Sequence, residues 1–504
     1  MESIIPKAAL VSVYNKNHDV IEFAKKLLDY GIDIYASSGT YAYLKKSNIV
    51  SYPLEQITGF EKLLDGRVKT LHPNIYSAIL GKEDDRKREL AFDIVAVDLY
   101  PFEDALKSGK PQNDLIEMVD IGGVALLRAS AKNYHYVLSI CGTSQLLKAA
   151  DHMDENDGKI LPEFSAKFAR HSFQYTSYYD SLISAGLFTD EDEFPKYMSL
   201  PLKVGQKLRY GENPHQKAIY YKHSIPSLTG RMEKLWGKDL SYNNILDIDG
   251  AIHALAHLWG KIGVVVLKHT SPCGIGIGSN QVDAYEKALA SDPLSAFGGV
   301  IGVNEKVGLE LAKLILRFFV EVVVAPDFDE DALEIFKGKK NIRIVRMPDI
   351  GSYPEKIVRG VAGGCLVSDF DSPQEIPDFE VVSEKMPTDD QVCDLHFAWR
   401  AIKSVKSNSI LIAKNGGTVG IGGGQPSRVD AAISAVRKAQ DAAIGAVAAS
   451  DAFLPFPDTL QVLADAGVTA LIQPGGSRND KLSIEMANKL GVVLVFTGMR
   501  HFRH

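Results

Sequence analysis

Lys268 and His269 close an unbroken apolar run, residues 264–267, and stand before a cluster of chain breakers, residues 270–278, that holds Pro272 and glycines at alternate positions. A neutral imidazole accepts a proton near pH 7. An adjacent ammonium stabilises a developing oxyanion and depresses the imidazole's pKa. A buried strand that ends in such a pair and then opens into a turn is a common way for an α/β enzyme to present reacting groups. The competing explanation is a strand end that is polar by chance, and these residues alone do not separate the two.

A second group of chemistry-bearing residues lies in the first third. Ser37-Ser38-Gly39-Thr40 follows a strand and opens a helix. Hydroxyls and free backbone N–H groups at a helix start bind phosphate. No Gly-Lys-Ser/Thr follows, so this is not a Walker loop, and an ordinary helix cap would look much the same. Three neighbouring clusters tilt the balance towards a site. Gly66-Arg67-Val68-Lys69-Thr70 puts two cations and a hydroxyl in one short loop, and Asp98-Leu99-Tyr100 follows an apolar run. Asp120-Ile121-Gly122-Gly123 opens a helix that carries Arg128, Lys132 and Asn133. Lysine, tyrosine, aspartate and the N–H groups of Gly122 and Gly123 are thus offered from sheet-end loops towards one rim.

The elements that must position these groups follow from periodicity. Residues 8–13, 32–35, 93–97 and 136–140 read as strands, and 20–28, 114–119 and 124–132 as helices. Alternation at this spacing predicts a parallel sheet covered on both faces, with ligands at the carboxyl ends of its strands. Helical pattern continues over 163–185. The acidic stretch 189–195 places a domain boundary near residue 198, giving domains 1–198 and 199–504. A second boundary in 366–390 divides the latter into about 199–370 and 371–504. Those two halves look faintly alike: an apolar run ending in lysine (264–268, 410–414), then glycines, then a helix (283–290, 429–443). The run Gly420-Ile421-Gly422-Gly423-Gly424-Gln425 fails the dinucleotide fingerprint, and close approach of backbone to a ligand is its expected use. Phe453 and Phe456, three apart, are expected in the core.

Composition narrows the class. The 504 residues are 45% apolar and 24% charged, as in soluble globular proteins, and are too many for one core. With 56 basic and 63 acidic residues, net −7, neither nucleic acid nor a membrane surface is an expected partner. No secretory signal or membrane span is expected. Cys141, Cys273, Cys365 and Cys393 show neither a disulfide framework nor zinc spacing. The expectation is small buried groups, with Cys273 beside the Lys268–His269 strand end as the exception to watch, in a cytoplasmic protein with no catalytic metal.

The motifs GRVKTLHP, DLYPF, DIGG and RASAKN, in that order, resemble the inosine monophosphate (IMP) cyclohydrolase domain of the PurH family of bifunctional purine-biosynthesis proteins. The resemblance implies a methylglyoxal-synthase-like fold. It implies that Ser12, Lys16, Ser37, Ser38, Gly39, Thr40, Arg67, Lys69 and Thr70 hold the nucleotide and its phosphate. Tyr100, Asp120 and Lys132 would surround the ring-closing atoms. Relatives often open Ser-x-Ser-x-Lys; here Tyr14 replaces the second serine, so no hydroxyl contact is carried over to it. Ring closure is intramolecular, so pre-positioning supplies up to about 7–11 kcal/mol. Lys69, Lys132 and Tyr100 could stabilise the oxyanion and move protons, and Asp120 could orient the amide or take its proton.

RYGENPHQ, LKHTSPCG, SDPLSAFGG, SNS, GIGGGQPSR, SDAFLPF and MRHF resemble the transformylase half of the same family, so the likeness covers essentially the whole chain. It implies two cytidine-deaminase-like α/β subdomains without zinc; Pro272-Cys273 indeed lacks a second cysteine three residues on. The implied reaction moves a formyl group from 10-formyltetrahydrofolate to aminoimidazole carboxamide ribonucleotide (AICAR). His269 would accept the proton, Lys268 would stabilise the oxyanion and Asn408 would assist. Arg209 and Tyr210 would bind the ribonucleotide, while Gly298, Arg428, Phe453 and Arg500 would line the nucleotide and folate sites. Glu321 matches a family acid that some relatives carry as Asp. The family pattern also implies a homodimer. The rivals are a nucleotide sensor that has lost one or both activities, against which Lys268, His269, Tyr100 and Lys132 argue, and a zinc hydrolase, which the missing ligands disfavour.

Overall fold

The computed structural model describes residues 2–60, 68, 70–87, 90–188, 194–225, 232–350, 353–354, 356–372 and 379–504. Arg67 and Lys69 lie outside the described residues, as does most of the acidic stretch that suggested a boundary. The chain divides into two compact units, residues 1–203 with 222–226, and residues 204–221 with 227–504. No helix among the described residues is long and apolar enough to cross a membrane.

The first unit is built on β1 (Ala8–Ser12), β2 (Asp33–Ala36), β3 (Tyr52–Pro53), β4 (Ile94–Val97) and β5 (Leu138–Cys141). They lie in the order β3-β2-β1-β4-β5 and all pair in parallel. Strands with side chains buried on both faces must be apolar throughout, and Ile94-Val95-Ala96-Val97 is buried at every position. The helix His18–Asp29 starts where Asn17 accepts the N–H of Val20 at 3.3 Å, and it buries Val20, Phe23, Ala24 and Leu27. The helix expected over 114–119 is shorter, Gln112–Ile116, which leaves Val119 and Asp120 in a connection. Strand order reverses between β1 and β4, and in such sheets the crevice beyond the carboxyl ends at that reversal receives the ligand.

A two-stranded ribbon follows, β6 (Leu202–Lys207) with β7 (Ile219–His223). The second unit contributes β8 (Glu233–Trp236), β9 (Ile262–Lys268), β10 (Ser271–Gly278), β11 (Gly299–Val303), β12 (Val320–Ala325) and β13 (Arg343–Arg346). After a separate hairpin, β14 (Lys356–Val361) with β15 (Gly364–Asp369), come β16 (Glu380–Val381), β17 (Ile410–Lys414), β18 (Gly417–Gly422), β19 (Val447–Ser450), β20 (Ala470–Gln473) and β21 (Val493–Phe496). One sheet holds twelve of them, in the order β16-β21-β20-β19-β17-β18-β10-β9-β11-β12-β13-β8.

Read outward from its centre, the sheet is the same half twice. Each half has a hairpin (β9–β10, β17–β18), an antiparallel neighbour (β11, β19), two parallel strands and an antiparallel edge strand. The halves join antiparallel at Gly276 and Gly417. The duplication that the two apolar runs hinted at therefore extends to every strand. One apolar layer runs under both halves, from Ile248, Leu255 and Leu267 to Leu395, Trp399 and Leu411.

Two expectations about glycine are overturned. The breaker cluster after His269 is not an open turn: the reversal is confined to His269 and Thr270, and Ser271–Gly278 is strand. Its glycines make room for a helix rather than a bend. A Cβ on Gly274 would lie 1.9 Å from the carbonyl oxygen of Ala288 in the helix Gln281–Ser291. The run at 420–424 likewise does not serve a ligand at Gly420 and Gly422. A Cβ on Gly422 would lie 2.0 Å from the carbonyl oxygen of Ala431 in the helix Arg428–Ala439. Phe453 and Phe456 are not core either, being 39% and 59% exposed. Cys141 and Cys273 are buried as expected, whereas Cys365 and Cys393 are exposed.

Gly274→Ala forces the helix off its strand. It should cost about 1–3 kcal/mol, the usual range for overpacking, and lower the thermal midpoint of the second unit. An unchanged midpoint would show that the helix contact is not tight.

Candidate functional site

In the first unit the crevice between β1 and β4 opens into a cavity of about 1160 Å³. Ser12, Lys16, Ser37, Gly39, Thr40, Thr70, Tyr100, Asp120, Gly122 and Gly123 of the expected residues line it. Ser12 ends β1, and Ser37 precedes the helix Ser38–Lys46. Ser37 occupies the capping position but makes no side-chain cap. Its hydroxyl instead accepts from Ser12 Oγ at 2.9 Å and donates to Thr40 Oγ1 at 3.3 Å. The first N–H groups of that helix thus keep no hydroxyl cap, and Lys16 Nζ lies 3.8 Å from where a Cβ of Gly39 would stand. Orphan N–H groups beside an ammonium make an anion cradle.

Two hydroxyls expected in the cradle have other work. Thr40 is buried, and its Oγ1 accepts the N–H of Val13 at 3.0 Å. Ser38 donates to Glu55 Oε1 at 2.6 Å and does not line the cavity.

Asp120 is fixed by backbone. It accepts from the N–H of Gly123 at 2.7 Å and of Tyr100 at 3.3 Å, while its own N–H donates to the Tyr179 hydroxyl at 3.0 Å. Tyr100 packs edge-on against Tyr14, centroids 5.6 Å apart. Gly122 stands where a Cβ would meet Thr70 Oγ1 at 2.6 Å. Lys132 is not brought here. It ends the helix Gly122–Lys132, about 15 Å along the axis from Gly122, is exposed, and does not line the cavity.

Sequence reasoning put Asp98 in a sheet-end cluster but gave it no role, and it passed over Glu117; both line the cavity. Burial holds the Asp98 carboxyl above its ordinary range, with Asp120 adding to the effect; the N–H of Asn15 and Lys16 act the other way. Its signal was position: it is the first polar residue beyond β4. Two half-buried tyrosines near Asp120 were also missed. Burial pushes Tyr76 and Tyr175 up to about 12, and Asp120 acts in the same direction on both.

In the second unit, strand direction gathers the expected residues along one edge of the twelve-stranded sheet. β9 ends there with Lys268 and His269, and β11 and β12 begin there with Gly298 and Glu321. β17 begins there after Asn408 and β18 ends there before Arg428. β19 and β21 end there before Phe453 and Arg500. Neighbouring strands are about 4.8 Å apart, so Lys268 and Asn408, three strands from one another, mark two groups on this edge.

In the first group Lys268 Nζ donates to the carbonyl of Phe297 at 2.9 Å, and His269 is exposed with φ 53°. Neither side chain is sealed in apolar packing. Asp247, which sequence reasoning did not single out, accepts the N–H of Thr270 at 2.6 Å. Glu321 accepts from Asn244 Nδ2 at 3.1 Å and lies 3.7 Å from Arg343.

In the second group Asn408 is pinned. It donates to the carbonyls of Gln425 and Pro426 at 3.0 and 3.1 Å and accepts from Arg428 Nη2 at 2.8 Å. Arg428 is buried and ion-paired with the buried Asp451, with Ser450 Oγ at 3.2 Å. Its guanidinium orders this loop from within. Arg500 lies over the ring of Phe502, 4.6 Å away. Arg209 lies over Tyr210 at 5.6 Å, outside the sheet.

The family model described as AICARFT/IMPCHase bienzyme matches residues 130–438, and that described as MGS-like domain matches 19–125. Proteins named bifunctional purine biosynthesis protein PurH are similar throughout. The one from Caldicellulosiruptor saccharolyticus is 43% identical over 514 residues, covering 99% of this chain and all of that protein. Those from Thermoanaerobacter sp. and Persephonella marina are each 42% identical, again over 99% of this chain and their whole length.

The cradle geometry separates two adjacent serines. Ser37→Ala should weaken binding of a nucleoside monophosphate about tenfold, which is ~1.4 kcal/mol, in a calorimetric titration. Ser38→Ala should leave it within about twofold, because that hydroxyl is turned to Glu55 and does not line the cavity. Equal losses would mean that Ser38 turns inward on binding.

Proposed function

The chain belongs to the AICARFT/IMPCHase bienzyme family, and we propose that its two units divide the family's two reactions between the two sites described above. As a family member it is a bifunctional formyltransferase and cyclohydrolase acting in the last two steps of IMP biosynthesis. The second unit takes the formyl group from 10-formyltetrahydrofolate to AICAR, and the first closes formyl-AICAR to IMP. The observation that carries this assignment is the strand end of half-buried Lys268 and exposed His269, set on the same sheet edge as Gly298, Glu321 and Asn408.

The AICAR amine is conjugated with its ring and carboxamide, so it is a weak nucleophile. His269 removes its proton as the nitrogen attacks the formyl carbon. Lys268, whose ammonium is held at the Phe297 carbonyl, stabilises the oxygen as it becomes anionic. The carbon–nitrogen bond to the folate then breaks and tetrahydrofolate leaves. Asn408, ordered by Arg428, assists by orienting the substrate. Arg209 and Tyr210 hold the ribonucleotide, and exposed Phe453 and Arg500 meet the nucleotide and folate from the other end of the edge.

In the cavity, Ser12, Ser37, Lys16 and the N–H of Gly39 take the phosphate. Asp120 and Tyr100 sit beside the carboxamide, whose nitrogen attacks the formyl carbon of the same molecule before water is lost. Arg67 and Lys69 join the phosphate and oxyanion contacts by the family's pattern. Lys132 stands in the proposal on that pattern alone. The protein works as a homodimer in the cytoplasm, on small molecules only. Lys268 and Asn408 lie about 14 Å apart by strand spacing, which supports completion of each transfer site by a second copy.

With AICAR and 10-formyltetrahydrofolate, ultraviolet absorbance should report tetrahydrofolate and then IMP with no metal added. His269→Ala should reduce formyl transfer by about 10²–10⁴, the usual worth of a general base, while supplied formyl-AICAR still cyclises. Loss of both together would end the two-site assignment. Lys132→Ala with cyclisation preserved would remove Lys132 from the mechanism.

A further inference from the structure

Two hairpin tips in the second unit are built alike. At one, His269 and Thr270 join β9 to β10 with φ 53° and 60°. At the other, Asn415 and Gly416 join β17 to β18 with φ 53° and 73°. Each tip follows a lysine whose ammonium donates to a carbonyl: Lys268 to Phe297 at 2.9 Å, Lys414 to Ile444 at 2.8 Å. Each is held by an aspartate from the helix before the hairpin. Asp247, in Tyr242–Ala256, accepts the N–H of Thr270 at 2.6 Å. Asp394, in Asp389–Ile402, accepts the N–H groups of Asn415 and Gly416, both at 2.8 Å.

The duplication isolates what differs. Only the first tip carries an imidazole, and there a threonine stands where the second tip has glycine. Side chains rarely adopt the left-handed region, so two such residues in succession persist only where the surroundings hold them. The bond to Asp247 is such a hold. Asp247 faces His269 and Thr270 from the hairpin and Glu321 from β12. Glu321 is itself bonded to Asn244 and 3.7 Å from Arg343. Lys268 is directed to Phe297.

We propose that Asp247 is a positioning residue for formyl transfer, whose carboxylate keeps the His269–Thr270 turn left-handed and whose charge acts on the His269 imidazole. The proposal rests on the reading of His269 given above. Burial raises the Asp247 carboxyl above its ordinary range, against the N–H of Thr270 and the charge of His269. An ionised carboxylate beside an imidazole favours the imidazolium, so removing that charge lowers the pH at which the base becomes free.

The test uses the full chain and three variants: Asp247→Asn, Asp247→Ala and Asp394→Asn. The readouts are the pH profile of kcat/KM for formyl transfer and an NMR titration of the His269 ring, assigned by its loss in His269→Ala. Asparagine keeps an acceptor for Thr270 but not the charge. It should hold kcat within about threefold while moving the acid limb and the His269 titration to lower pH by about half a unit. Alanine loses the acceptor and should cost kcat at least about tenfold more than asparagine. Asp394→Asn should leave both pH readouts where they are. An Asp247→Asn titration that overlays the unmodified protein overturns the proposal, as does Asp247→Ala turning over as fast as Asp247→Asn. The asparagine variant decides the matter should the alanine variant not fold. The NMR titration needs no turnover, so absence of formyl transfer in the unmodified protein would count against the functional reading and not against this one.

Discussion

The second unit depends on the direct seating of a helix on a strand. Gly274 and Gly276 leave no side chain between β10 and the helix Gln281–Ser291, and Gly420 and Gly422 do the same for β18 and Arg428–Ala439. A helix that close fixes the strand's face and register, because a one-residue slip would bring the intervening side chains, Ile275 or Ile421, against it. β10 and β18 are also the two strands that join the halves. Once their register is set, β9 and β17 follow by hairpin pairing, and the outer strands follow from them. The edge on which Lys268, His269, Glu321 and Asn408 stand is therefore a consequence of glycine placement in the two central strands.

The first unit solves the same problem with parallel strands. Parallel pairing sends every carboxyl end to one side, so Ser12, Ser37 and Asp98 meet without any hairpin. The reversal of order between β1 and β4 opens the gap that the cavity occupies. Positioning is then completed by backbone donors rather than by side-chain pairs. Asp120 is held by the N–H groups of Gly123 and Tyr100, and Asp98 accepts the N–H of Asn15 at 2.9 Å. Backbone donors move little, so both carboxylates keep their places at the cost of partial desolvation, which appears in the raised pKa of Asp98.

Much of this was legible in the chain. Apolar runs bounded by polar residues located β1, β4, β9 and β17 within a residue or two, and the ordered motifs identified the family. What stayed hidden has physical causes. The glycines of β10 and β18 read as breakers, because sequence shows the absence of a side chain but not the helix that requires it. The hydroxyls of Ser37 and Ser38 are equivalent in sequence and diverge only because Glu55 lies seventeen residues beyond Ser38 and within reach of it. Lys132 shares a helix with Gly122, yet helical rise carries it away from the cavity. Phe453 and Phe456 carry core-like spacing, but the connection after β19 is not helical and so does not turn them inward. Asp247 has no motif of its own; its partner is a backbone N–H twenty-three residues away.

The duplicated tips show how a scaffold separates from its chemistry. Both halves keep the lysine that ends the strand, the left-handed turn and the aspartate beneath it, so these features serve the hairpin whatever stands at its apex. Where the apex bears Asn415 and Gly416, the turn is built from residue types that tolerate positive φ. Where it bears His269 and Thr270, the less tolerant types are kept in a conformation that costs of order 1–3 kcal/mol per residue. Strain of that size is sustained only where the surrounding bonds over-determine the turn and its side chain has a use. The conformation leaves the imidazole exposed at the sheet edge, where the base proposed above would meet a substrate arriving from solvent.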